Sequence, residues 1–163
     1  MSFIYLDIDG VLATNATYRA AYKRGGNPRS TKFLVSLLDP KKVELLNQIV
    51  AETGAKIILS STWRHITSVE GHTTFDILKM AGVRAEFEGA TGPDYANRGL
   101  ELKEDILARG LCPNSYVILD DDVCAADHLK GIGHKGNRWL QTSDAMGMSQ
   151  KHVTKAVQLL RME

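Results

Sequence analysis

Cysteine is scarce in this sequence: 163 residues contain two, Cys112 and Cys124, which show neither paired metal-ligand spacing nor the density of a disulfide scaffold. A fold stapled by bridges or structural zinc is therefore excluded, and a reducing, cytoplasmic setting is the expectation. No apolar run reaches the length of a membrane span, and Asp7 and Asp9 interrupt the N-terminal apolar stretch where a secretory leader needs continuity. An excess of charge of either sign is missing too. Twenty Lys and Arg stand against 19 Asp and Glu, a net of +1, so no global field draws the chain to polyanions and electrostatic recognition has to be local. The five histidines, His65, His72, His128, His134 and His152, fall at no recognisable metal spacing and read as structural or solvated. Neither a membrane nor an obligate protein partner is indicated.

What is present suits one globular domain over residues 1–163, with 44% hydrophobic and 24% charged residues and enough chain to bury its own core. "FIYLDID" (3–9) reads as a buried strand. "PKKVELLNQIVAETG" (40–54) carries Val43, Leu46, Ile49 and Val50 at helical spacing, with Asp39 and Pro40 as a start signal and Gly54 as a stop. Further along, 55–61, 83–89, 115–121 and 137–142 read as strands, while 73–82, 98–110 and 149–162 read as helices; 11–38 reads as a long irregular insertion. Strands alternating with helices predict an α/β fold, a mostly parallel sheet covered on both faces in three layers.

In such a sheet ligands gather outside the carboxyl ends of the strands. Three apolar strands end there in polar residues: Asp7 and Asp9, then Ser60, Ser61 and Thr62, then Asp120, Asp121 and Asp122. Alternation puts Asp7 and Asp9 on one side of their strand, and Gly10 permits a sharp turn after them. Each element alone has a plainer reading, as a helix cap, a turn or a solvated loop. Their coincidence at one edge points to a site, because carboxylates crowded together need a cation, and an all-oxygen set suits Mg²⁺.

"FIYLDIDGVLAT", "KIILSSTWR" and "YVILDDD" resemble motifs I, II and IV of the haloacid dehalogenase (HAD) superfamily of phosphohydrolases. With "RGLEL" and "LQTSDAMGMSQKHV", the chain is similar to a small branch that also occurs as a domain in RNA-repair proteins. The resemblance implies a three-layer Rossmann-like core with a minimal cap, and an Mg²⁺-dependent phosphomonoesterase. It assigns Asp7 as the nucleophile that becomes an aspartyl-phosphate, Asp9 as general acid and then base, and Ser60 as a phosphoryl hydrogen-bond donor. It places the metal on the Asp7 carboxylate, the Asp9 carbonyl and one or more of Asp120, Asp121 and Asp122, with Asp121 favoured as the direct ligand and Asp120 as its partner. For the basic residue of motif III it offers Arg98, with Lys103 as the alternate.

The insertion at about 11–38 has no acidic residue and contains Arg19, Lys23, Arg24, Arg29 and Lys32 with Tyr18 and Tyr22 interleaved. It reads either as a solvated loop or as a basic flap over the phosphate, with Arg24, Arg29 and Tyr22 contacting substrate. Ser61 and Arg64 are further substrate contacts, Arg64 having a surface ion pair as its plainer role. Trp63 could shape the pocket or belong to the core. The expected partner is a phosphorylated small molecule or a nucleic-acid end. Two other classes stay open: a phospho-accepting signalling domain, and a metal-dependent nuclease or nucleic-acid-binding module.

Overall fold

The structure, a computed structural model, describes residues 1–66, 68–92, 97–122 and 124–161, without the side chains of 124–126, so Cys124 lies outside what can be placed. In chain order it runs β1 (Phe3–Leu6), α1 (Asn15–Arg24), α2 (Thr31–Leu37), α3 (Pro40–Thr53), β2 (Lys56–Leu59), α4 (Thr74–Met80), β3 (Phe87–Ala90), α5 (Arg98–Ala108), β4 (Tyr116–Asp120), β5 (Trp139–Gln141) and α6 (Gln150–Arg161). Among the described residues the strands form one parallel sheet in the order β3-β2-β1-β4-β5. The chain builds outward from β1 through β2 to β3, then returns to place β4 on the other side of β1. That reversal opens a crevice between β1 and β4 at their carboxyl ends.

Alternation along the strands divides the core into two faces. Ile4, Leu6, Ile57, Leu59, Val117 and Leu119 point to the face packed with residues of α3, α4 and α6. Phe3, Tyr5, Ile58, Tyr116 and Ile118 point to the other, against Leu102 and Ile106 of α5 and Leu129 of the 3-10 segment Cys124–Ile132. A sheet buried on both sides explains why β1 and β4 read as continuous apolar runs. α3 forms where its apolar spacing predicts: Asp39 caps it by accepting from the Lys41 N–H, Pro40 opens it, and Gly54 ends it at φ 65°.

The stretch 11–38 is not irregular as expected. It folds into the α1–α2 hairpin, whose polar first helix buries only Ala21 and so shows little apolar periodicity. Its start signal is a Thr14–Thr17 capping box, with threonine where an acidic residue would be more legible. β3 also departs from its expected span of 83–89, because Val83 is buried in the connection while the strand itself is only half-buried and pairs with a register shift beside Ile57 and Ile58. No helix among the described residues is long and apolar enough to cross a membrane.

Candidate active site

Asp7 is the first residue beyond β1, and its N–H donates to the Leu119 carbonyl at 3.0 Å, extending the β1–β4 ladder by one bond. The strand therefore fixes where its side chain starts. The side chain is buried; one oxygen accepts the Ile8 N–H at 2.8 Å, and the other lies 3.7 Å from Arg98 Nη1. Asp120, the last residue of β4, is 1% exposed; it accepts the Asp122 N–H at 2.9 Å and the same Arg98 nitrogen at 2.8 Å. Arg98 opens α5, whose cap Asn97 accepts the Leu100 N–H, so the helix start aims the guanidinium between the two carboxyls.

Asp121 completes a group in which one carboxyl oxygen from each of Asp7, Asp120 and Asp121 lies within 4.8 Å of the others. Gly10, at φ 75°, makes room for it: a Cβ there would sit 2.6 Å from Asp121 Oδ2. Burial, reinforced by the Asp120 charge, pushes the Asp7 carboxyl up to about 7 against the pull of Arg98, the Ile8 N–H and Ser61. Burial pushes Asp120 up to about 6, Arg98 opposing and its two acidic neighbours adding. Asp121 is raised as well, by burial and then by Asp144. Although burial works against its charge, Arg98 is held more firmly protonated by Asp7, Asp120 and Glu101. One guanidinium against three carboxyls leaves an anionic excess, and an all-oxygen group at this spacing is a donor set that a hard divalent cation fits.

Asp9 is treated differently. The Tyr18 hydroxyl donates to one of its oxygens at 2.7 Å and Trp63 Nε1 to the other at 3.2 Å. Its side chain is not in the three-carboxyl group, so any contribution to a metal comes from its main chain. Ser60 follows β2, donating its N–H to the Leu6 carbonyl at 2.9 Å, and its hydroxyl is fully buried with no hydrogen-bond partner among the described residues. Ser61 accepts the Trp63 N–H at 3.2 Å, starting the 3-10 turn Thr62–His65, and its hydroxyl acts on Asp7.

Arg64, expected to contact substrate or to form an ion pair, forms an ion pair. Its buried guanidinium pairs with Glu101 at 2.8 Å and donates to the Ser61 carbonyl at 3.0 Å, tying the turn after β2 to α5. Lys103, the alternate to Arg98, lies five residues further along α5, half-buried and with no ion pair among the described residues. Arg24 and Lys32 line a 330 Å³ groove between α1 and α2, while Arg29 is exposed in the turn. Tyr22 is 61% exposed with its ring edge-on to Phe33 at 5.2 Å. Among the described residues no hydrogen bond or ion pair joins Arg24, Arg29 or Tyr22 to the aspartates; the hairpin's link to them is Tyr18.

Two participants, Glu101 and Asp144, escape the sequence reading, as do the particular contacts that Tyr18 and Trp63 make. Glu101 sits three residues beyond Arg98, 3.9 Å from its Nε, and that helical spacing was a legible signal. Asp144 bears on Asp121, and its carbonyl accepts the Asn15 N–H at 2.9 Å, fixing the start of α1. It follows β5 as the other polar residues follow their strands. The bonds from Tyr18 and Trp63 to Asp9 span 9 and 54 residues and have no local signature.

Sheet order, crevice and carboxyl group are those expected of a HAD-type core. The chain aligns over 96% of its length with a haloacid dehalogenase-like family hydrolase from Streptococcus pneumoniae, covering 90% of that protein at 13% identity and a TM-score of 0.53, a likeness of fold. Residues 3–153 match the family described as the HAD domain in Swiss Army Knife RNA repair proteins, and the chain belongs to that family. No curated protein matches it in sequence.

Proposed function

We propose that the chain is an Mg²⁺-dependent phosphomonoester hydrolase that works through an aspartyl-phosphate on Asp7 and takes a nucleotide or polynucleotide-end phosphate. The observation that carries this reading is the unequal setting of two carboxyls at one strand end. Asp7 lies buried among acids beside Arg98, whereas Asp9 is held by two neutral donors, Tyr18 and Trp63. Environments that differ so sharply suit different tasks, a nucleophile and a proton carrier.

An Asp7 oxygen attacks phosphorus and the bond to the leaving oxygen breaks, that oxygen taking its proton from Asp9. Water then attacks the phosphorus of the aspartyl-phosphate and gives a proton back to Asp9, releasing phosphate and restoring Asp7. The Tyr18 hydroxyl can donate or accept, so it stays bonded to Asp9 in both protonation states. Ser60, with an unused hydroxyl, and Arg98 supply donors for phosphoryl oxygens, where most of the catalysis of phosphoryl transfer lies. Asp7, Asp120 and Asp121, with the Asp9 carbonyl, would hold the cation, which when bound supplies charge neutralisation for the phosphoryl group.

The substrate class is supported by the α1–α2 hairpin, which carries five Lys and Arg and no acid directly after the nucleophile strand, and by the family's place in RNA repair. Release of inorganic phosphate from phosphorylated metabolites, aryl phosphate and 5′- or 3′-phosphorylated oligonucleotides tests the reading. We expect Mg²⁺-dependent release that EDTA silences, with internal phosphodiesters left intact. Strand cleavage without phosphate release would replace it with a nuclease. Arg24→Ala with Arg29→Ala should lower kcat/KM on the oligonucleotide and flatten its salt dependence, leaving the aryl phosphate unchanged. Equal losses on both substrates would confine the hairpin to a structural role.

A further inference from the structure

The pole of the sheet opposite the aspartates, at the amino ends of β4 and β5, holds a 310 Å³ cavity lined by three cations, Lys135, Arg138 and Lys155, and three amides, Asn114, Asn137 and Gln158. Among the described residues no carboxylate lines it, although the chain has nearly as many acids as bases. Arg138 is the unusual member, because it is 2% exposed and the hydrogen bonds its guanidinium makes among the described residues all go to neutral groups. It donates to the carbonyls of Asn114 and Tyr116, both at 2.9 Å, and of Leu159 at 3.0 Å near the end of α6. Among the described residues its Nε has no partner and no carboxylate pairs with it. Burial accordingly lowers its hold on the proton, with Tyr116 opposing. Lys135 reaches the Asn114 side chain at 3.3 Å, and neither lysine is ion-paired among the described residues.

A buried guanidinium left without an anion is costly, and the carbonyls offset only part of its charge. The cavity beside it offers what would supply the rest: two ammonium groups and amide donors converging on a space with no competing acid. We infer that this cavity binds a phosphate group, whose oxygens accept from Lys135, Lys155 and the amides and whose charge offsets that of Arg138. The length of β4, about 13 Å at the rise of an extended strand, separates it from the aspartates, so it is a second site and not part of the first. The shared chemistry is a tetrahedral oxyanion, either free phosphate or a phosphodiester of a bound strand.

The test is titration of the full, ¹⁵N-labelled chain with sulfate and with phosphate, ionic strength held constant with chloride and divalent cations left out. Saturable shifts at Asn114, Lys135, Asn137 and Lys155 are expected. The double variant Lys135→Glu, Lys155→Glu keeps the fold, since both lysines lie outside the core, and weakens the response at least tenfold. An oligonucleotide without terminal phosphates identifies the source. Binding ten times tighter than phosphate, and lost in the double variant, assigns the site to a strand; no gain over phosphate assigns it to the free anion. Absence of shifts at tens of millimolar sulfate, or the same shifts in the double variant, overturns the proposal. Turnover plays no part in this readout, so failure of the phosphatase reading would leave it standing.

Discussion

The two ends of β4 carry opposite charge that the described residues do not balance. At the carboxyl end three carboxyls share Arg98, and two of them are pushed up to about 7 and about 6. At the amino end Arg138 is buried among carbonyls. The acids are brought together by topology, because β1 and β4 are neighbours across the point where strand order reverses. The basic group is assembled instead from the turn before β5 and the last turns of α6. Uncompensated charge held rigidly by a strand end marks a place for a ligand of the opposite sign, a cation at one pole and an oxyanion at the other.

The largest effect expected comes from removing one charge at the acidic pole. Asp7→Asn should reduce phosphate release to background while circular dichroism stays unchanged, since asparagine keeps the shape and loses the nucleophile. The sulfate response at Lys135 and Lys155 should not move, and a coupled loss at both poles would break the comparison. Asp9→Asn should be less severe, about 10²-fold in turnover, as general acid–base catalysis alone is removed. Tyr18→Phe sharpens the distinction between the two carboxyls. Losing one hydrogen bond to a carboxylate is worth about 1.5 kcal/mol, so turnover should fall roughly tenfold. Unchanged turnover would reduce the Tyr18 contact to packing.

The smallest effect is on stability. Asp7 and Asp120 have folded values of about 7 and about 6, above the ordinary 3.8, so the metal-free fold holds protons that the unfolded chain gives up. Their contribution is fully present below about 3.8 and is lost as pH rises through about 6 and then about 7. Thermal melts should therefore show Mg²⁺ raising Tm more above pH 7 than below pH 6, because a cation favours the ionised carboxyls. A protection independent of pH would mean that these carboxyls do not hold the ion.

Much of this was legible in the sequence. Parallel strands buried on both faces are apolar throughout, so β1, β2 and β4 and the polar residues that end them stand out, and α3 carries its own caps. The hairpin did not stand out, because a helix that buries one alanine has almost no period to read. The partner of Arg64 was not legible for a related reason: sequence puts it beside the serines, but only packing reveals that Glu101 claims its guanidinium. Tyr18, Trp63 and Asp144 act on the site through the tertiary fold, and no local pattern announces such contacts.

The central claim, a covalent intermediate on Asp7, is tested most directly by acid quench during turnover of an aryl phosphate with Mg²⁺, followed by borohydride reduction and peptide mass spectrometry. An aspartyl-phosphate is reduced to homoserine, so the account predicts that change at Asp7 alone, absent without substrate and absent in Asp7→Asn. Rapid phosphate release with Asp7 unmodified, or with the modification at Asp9 or Asp120, would contradict it.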